Sequence, residues 1–186
     1  MTTPHNLWKM YLAEEGENVE ALYGIDNDEW RRRWKAEHTV SSSLKLSFTF
    51  KQPEARLLDF HPCDVASGLC SRRFRSVVEP LQSRDDRVTW VPSAVFGADA
   101  TPLAEYYVML VEPVDNILHH SSRYRSLWKR DLLHLDVPVI DVNKINNHAV
   151  FYYEWSPGSA IVVEPVAAAV RAACLTGIEL GSIRTA

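Results

Sequence analysis

The amino-acid sequence predicts an α+β fold, a single domain with a mostly antiparallel sheet and a few flanking helices. Three observations lead to this prediction. Several short segments alternate apolar and polar residues as half-buried strands do, and two others carry the start and stop signals of helices. No internal repeat, low-complexity tract or linker divides the 186 residues. We therefore expect one domain over residues 1–186, with an acidic N-terminal part at 1–53 and a core at 54–180.

Strand patterns recur along the whole chain. Residues 7–12 are short, aromatic and apolar, and residues 44–51 alternate strictly, so that Leu44, Leu46, Phe48 and Phe50 would face a core. Residues 55–60 predict a strand that ends at His61-Pro62. Five more strands are predicted at 88–96, 106–111, 149–155, 160–163 and 178–180.

Helix patterns are fewer. Residues 26–37 predict a short amphipathic helix, because Asp26 or Asn27 can cap it and Trp30 and Trp34 share a face. Ser71 can cap a second helix, which Pro80 would bend or end. Its apolar positions are Phe74, Val77, Val78 and Leu81. Residues 123–133 predict a third helix, and the last begins at Glu164-Pro165, continues to Cys174 and is closed by Gly177.

Composition narrows the class of protein without naming a function. The formal net charge is −4, and 46% of the residues are hydrophobic, values typical of globular domains rather than disordered or disulfide-dense chains. The cysteines are odd in number, which favours the cytosol over an oxidising compartment. Residues 1–10 lack the pattern of a secretory signal, and no apolar run approaches the ~20 residues of a membrane span. We therefore expect a cytoplasmic protein with no membrane partner.

The charge of the chain is unevenly placed. Residues 9–29 contain seven acids and one base, which gives this stretch −6 and leaves +2 for the rest of the chain. Carboxylates interleaved with apolar residues could dock a basic protein, because charge speeds encounter and apolar side chains anchor the complex. A solvated acidic loop is the alternative. The candidate binding residues are Glu14, Glu15, Glu17, Glu20, Tyr23, Asp26, Asp28 and Glu29.

Three other groups of residues invite functional readings. His61, Cys63 and Cys70 look superficially like metal ligands, but their spacing matches neither structural zinc sites nor zinc deaminases. His119-His120 beside Ser121-Ser122 could serve a hydrolase or transferase, although no nucleophile elbow is present. Two basic segments, Arg31 to Lys35 and Arg72 to Arg75, could bind nucleic acid if their aromatic residues were free to stack. The structural alternatives for the three groups are, in the same order, core packing, a polar turn and solvent-exposed helix faces.

The second half of the chain resembles a known family. The matching segments occur in a fixed order: Asp59-Phe60, Gly68 to Ser71 leading into the helix that ends near Leu81, Val88 to Pro92, Tyr106 to Asp115, His148 to Phe151, and Val163 to Leu180 with Leu175-Thr-Gly177. This order is similar to that of immunity protein family eleven, the cytosolic antidotes of bacterial polymorphic toxin systems. The similarity covers residues 55–180. Within it, Asp59, Ser71, Asp115 and Gly177 are expected to determine shape rather than catalysis.

The resemblance implies a protein that binds a cognate toxin domain, possessing no catalytic residue and requiring no cofactor or metal. Such an antidote would inhibit its toxin, for example a nuclease, by covering the active site, and would have no direct contact with nucleic acid. The acidic N-terminal part fits this role if the toxin is basic, as nucleases that bind phosphates often are. A small hydrolase or transferase and a nucleic-acid-binding regulatory module are the alternatives.

Overall fold

A computed structural model describes residues 6–12, 46–50, 56–61, 63, 68–127, 132–145, 147–153 and 160–186. The fold is mainly β, with three sheets, one of them curled like a half-barrel, so the predicted α+β class is wrong. Two α-helices lie in the described residues, and they are only 7 and 9 residues long. The helix predicted for 26–37 lies outside these residues.

The first sheet has five strands in the order β2-β5-β6-β4-β3. The strands are β2 (Leu46–Thr49), β3 (Phe60–His61), β4 (Leu69–Ser71), β5 (Val88–Phe96) and β6 (Pro102–Val111). β2 runs parallel to β5, and the other neighbours are antiparallel. Leu46, Phe48 and Phe50 are buried while Ser47 is exposed, which confirms the alternation seen in the sequence.

The second sheet has six strands and gathers both ends of the described chain. Its order is β10-β13-β1-β12-β11-β7. The strands are β1 (Leu7–Leu12), β7 (Pro113–Val114), β10 (Val139–Ile140), β11 (Val150–Tyr153), β12 (Ile161–Val163) and β13 (Ile178–Thr185). β1 lies between β12 and β13 and is antiparallel to both. The strand predicted at 7–12 is therefore confirmed.

The two helices pack into a core shared by both sheets. α1 (Arg72–Val78) begins after Ser71, whose hydroxyl accepts a hydrogen bond from the Phe74 N–H, and a 3-10 turn (Glu79–Leu81) follows at Pro80. α2 (Glu164–Ala172) has Pro165 in its first turn. Phe74 and Val78 of α1 and Val166 and Val170 of α2 belong to one buried cluster with strand residues such as Met109 and Val162. Both predicted helix starts are confirmed.

The predicted helix at 123–133 is wrong. β8 (Arg123–Leu127) and β9 (Leu132–Val137) form an antiparallel pair that is a sheet of its own. Leu133, Leu135 and Val137 alternate with His134 and Asp136, a period of two that a helix does not use. Leu135 is buried and Asp136 is exposed, as that period requires.

The strand predicted at 55–60 is also wrong, because strand structure covers only Phe60 and His61 there. Backbone N–H groups that would pair with a neighbouring strand donate to side chains instead. The Leu58 N–H donates to Nε2 of His61 at 2.8 Å, and the Asp59 N–H donates to Oγ1 of Thr176 at 3.0 Å. Residues 56–59 therefore form an irregular segment fixed by side-chain bonds.

Candidate functional site

The predicted toxin-binding residues, Glu14 through Glu29, lie outside the described residues, and so does the basic segment from Arg31 to Lys35. Their role stays a prediction.

In the second basic segment, on α1, two of the three arginines and the phenylalanine contact other residues of the chain. Phe74 is fully buried and cannot stack on a base. Arg73 forms an ion pair with Asp59 at 3.0 Å, and Arg75 binds Glu79 at 2.7 Å and lies over the ring of Tyr107 at 4.5 Å. The aromatic residue faces the core, which removes the stacking platform that nucleic-acid binding would use.

His61 is a core residue. It is fully buried between the rings of Phe50 and Tyr106, and Nε2 accepts the Leu58 N–H. Burial lowers the pKa of His61 to about 4, against an opposing effect of the Asp59 charge. Nδ1 has no hydrogen-bond partner among the described residues. With no access to solvent, this imidazole cannot meet a substrate.

Cys70 is also fully buried, and burial with the nearby Cys63 raises its pKa well above the usual value. Cys63 is only partly buried. Within the described ranges, no group of three or more His, Cys, Asp or Glu side chains is arranged to hold a metal ion.

His119 is partly buried, and His120 is exposed. Their rings are 3.9 Å apart, and Nδ1 of His119 lies 2.8 Å from Oγ of Ser121. A catalytic histidine usually needs a third group that orients it, commonly a carboxylate. In the part of the chain that the structure describes, neither ring is bonded to one.

The structure instead joins a carboxylate and an imidazole that are 62 residues apart. Oδ1 of Asp86 lies 3.2 Å from Nδ1 of His148. The Asp86 side chain has no exposed surface, and its two oxygens also accept the N–H groups of Ser83, Ala149 and Val150 at 2.9–3.0 Å. These four donors satisfy a charge that would otherwise be costly to bury. Asp86 thereby fixes the segment before β5 to the start of β11.

A cavity of about 560 Å³ opens beside this pair, where the chain passes from β6 in the first sheet to β7 in the second. The Glu112 N–H donates to the Arg87 carbonyl at 2.9 Å, and the side chains of the two residues form an ion pair at 2.9 Å. Burial and the Glu112 charge raise the pKa of Tyr152. The polar lining residues are Arg84, Asp85, Arg87, Glu112, Asp115 and His148.

The described walls of the cavity carry charged and imidazole groups that can bind a ligand. Because Asp86 is a carboxylate and can only accept, the neutral His148 ring must carry its proton on Nδ1 and leave a lone pair on Nε2. No hydroxyl or thiol lines the described walls of the cavity. The sequence placed His148 and Asp115 in segments of the resemblance, but nothing in it paired either with Asp86.

One further finding concerns membranes. None of the helices in the described residues is both long and apolar enough to cross a bilayer.

Comparison with known proteins agrees with the resemblance and extends it towards the N-terminus. The family model described as "Immunity protein family (Imm11)" matches residues 10–185, nearly the whole chain. No curated protein matches the sequence. The match includes the acidic stretch that the resemblance left out. On this coverage, the chain belongs to the Imm11 immunity protein family and is an immunity protein against a toxin.

Proposed function

We propose that this protein is a cytoplasmic antidote that binds one cognate toxin domain and inhibits it by covering its active site. The observation that carries the proposal is the family match over residues 10–185. The toxin is proposed to belong to a polymorphic toxin system used between competing bacteria. Binding alone would account for protection, so the antidote itself performs no chemistry.

The acidic stretch from Glu14 to Glu29 is the proposed binding surface. Its local charge of −6 would attract a basic toxin, and a nuclease is the leading candidate because its own substrate is polyanionic. Apolar neighbours such as Leu22 and Tyr23 would anchor the complex after encounter. The residues proposed to bind the toxin are Glu14, Glu15, Glu17, Glu20, Tyr23, Asp26, Asp28 and Glu29.

Charge reversal tests this surface. We expect the toxin gene to lie beside the gene for this chain. The full-length chain with Glu14, Glu15, Glu17 and Glu20 all changed to Lys is mixed with the toxin domain which that neighbouring gene encodes. At low salt, we expect the association rate to fall by about tenfold or more, because electrostatic steering is lost. At high salt the difference should shrink, since the Debye length falls to about 3 Å at 1 M.

The control reverses Glu105, Asp136 and Glu179, exposed acids elsewhere on the described surface. Their reversal should alter the association rate much less than the N-terminal reversal does. An N-terminal variant that associates at the wild-type rate in low salt would overturn the proposed surface. A toxin that kills cells despite co-expression of the wild-type chain would overturn the proposed function itself.

A further inference from the structure

We propose that the cavity beside His148 is a socket for one basic side chain, Arg or Lys, of the toxin domain. This inference rests on the proposed function and adds a second contact to it, on a face of the molecule formed by described residues. Arg87, Glu112 and His148 are among the residues that line the socket.

The His148 ring is set as an acceptor. Its Nδ1 is bonded to Asp86, so the neutral ring presents the lone pair of Nε2, and Nε2 has no hydrogen-bond partner among the described residues. The side chain is 19% exposed, and it lines the cavity. A group that enters to bond Nε2 of the neutral ring must therefore be a donor. Guanidinium and ammonium groups are donors only.

The charges around the cavity favour the same class of ligand. Three carboxylates, Asp85, Glu112 and Asp115, line the cavity with two arginines. The Glu112 side chain is 22% exposed, and that of its partner Arg87 is 76% exposed. Their ion pair joins one guanidinium nitrogen to one carboxylate oxygen. A carboxylate can accept hydrogen bonds from several donors, so Glu112 can bind a second cation in addition to Arg87.

The remaining charged groups leave a net negative balance. Asp85 and Asp115 form no ion pair with a described residue, and they face one unpaired base, Arg84. The buried charge of Asp86 stands directly behind His148. An anion entering the cavity would meet the Nε2 lone pair and these carboxylates, which disfavours phosphate or an acidic side chain.

The walls of the socket are already ordered. Asp86 holds Ser83, Ala149 and Val150 together through backbone N–H groups, and the Glu112 N–H is bonded to the Arg87 carbonyl. A preformed site loses little conformational freedom when it binds, so more of the interaction energy appears as affinity. A volume of about 560 Å³ is ample for one long side chain with ordered water.

A matched pair of substitutions at His148 tests the acceptor. His148→Asn can keep a donor to Asp86 but lacks an acceptor at the position of Nε2. His148→Gln can place its amide oxygen near that position but loses the donor to Asp86. With the full chain and the toxin domain encoded beside it, we expect Kd to rise about tenfold or more for His148→Asn and clearly less for His148→Gln.

Asp115→Lys provides a second test that does not disturb Asp86. Asp115 is exposed, and no hydrogen bond or ion pair involves its side chain among the described residues, so the variant should fold. We expect about a tenfold rise in Kd, whereas Glu105→Lys, on β6 away from the cavity, should stay within about threefold of wild type. Wild-type Kd values for both His148→Asn and Asp115→Lys would overturn the socket. So would an equal loss in Glu105→Lys.

Two readouts separate the possible failures. If the wild-type chain binds the toxin and the cavity variants bind equally well, the socket is wrong while the proposed function stands. If the wild-type chain does not bind, both fail. In the free protein at pH 8, long-range 1H–15N spectra should show His148 protonated on Nδ1, and protonation on Nε2 would overturn the acceptor assignment.

Discussion

The carboxylate of Asp59 accepts a hydrogen bond from the backbone N–H of Thr176 at 3.0 Å, across 117 residues of chain. The same carboxylate accepts the hydroxyl of Ser71 at 2.8 Å and pairs with Arg73 at 3.0 Å. Arg73 also donates to the Ala173 carbonyl just after α2. Asp59 therefore ties the start of α1 to the turn between α2 and β13, a structural role that agrees with its expected part in determining shape.

Asp59→Asn should lower the free energy of unfolding by about 1–3 kcal/mol, because charge-assisted bonds to Ser71, Arg73 and Thr176 are weakened. Urea unfolding at pH 7 measures this. The control is Asp99→Asn, which alters a carboxylate bonded to Thr101 on an exposed turn and should change stability less. Equal losses of unfolding free energy in the two variants would contradict the role of Asp59 in joining α1 to the turn before β13.

Asp59 should also contribute to acid unfolding. Burial alone would raise its pKa, but hydrogen bonds from Thr176 and Ser71 and the charge of Arg73 outweigh burial and hold the pKa below the usual 3.8. The stabilisation is therefore complete above pH 3.8 and is lost as the pH falls through the lowered value. Comparing the urea midpoints of wild type and Asp59→Asn below pH 5 checks this direction. A difference that grows as the pH falls would contradict it.

Because of His61, the free energy of unfolding should decrease as the pH is lowered from 6.5 to 4. Burial lowers its pKa in the folded state from 6.5 to about 4, so the unfolded chain binds the proton first across this range. In His61→Phe, the urea midpoint should therefore vary less with pH across this range than it does in wild type. A wild-type slope in His61→Phe would contradict the burial argument.

Gly177→Ala should destabilise the fold by about 1–3 kcal/mol. Gly177 has φ +78°, and a Cβ there would lie 2.2 Å from the Phe60 carbonyl oxygen, a backbone atom that cannot move alone. Gly181→Ala is the control, because its Cβ would meet only the side chain of Tyr11, which is 42% exposed and can shift. Thermal unfolding of both variants decides the matter, and equal losses would contradict the backbone clash.

Replacing both His119 and His120 by Ala should leave protection unchanged. His120 is exposed, His119 is partly buried, and neither ring is bonded to a carboxylate among the described residues. An antidote that acts by binding alone does not need these rings for catalysis. Survival of cells that co-express toxin and variant measures protection, and a pull-down measures binding. Lost protection with intact binding would point to chemistry and contradict an inhibitor that acts by binding alone.

Local signals in the sequence predicted the elements that depend on local physics. The Ser71 cap, Pro165 in the first turn of α2 and the alternation from Leu46 to Phe50 each act within a few residues. The sequence did not predict the antiparallel pair of β8 and β9, because its period of two competes with helix-forming residues such as Arg and Leu. With that predicted helix gone, the α+β class failed too.

Contacts between distant segments could not be predicted in the same way. Asp86 and His148 are both ordinary residues in their local context, and only the meeting of the two sheets joins them. The sequence of the segment before β3 predicts a strand, but its backbone N–H groups donate to the side chains of His61 and Thr176. The resemblance identified the family correctly because it uses the order of many weak segments, which is a property of the whole chain.

This chain is proposed to inhibit a toxin by binding it. The most direct measurement titrates the purified full-length chain into the toxin domain encoded by the neighbouring gene, and follows complex formation and toxin activity in the same samples. We predict a saturable complex, with toxin activity falling in proportion to the fraction bound. No complex, or full toxin activity at saturation, would contradict the claim.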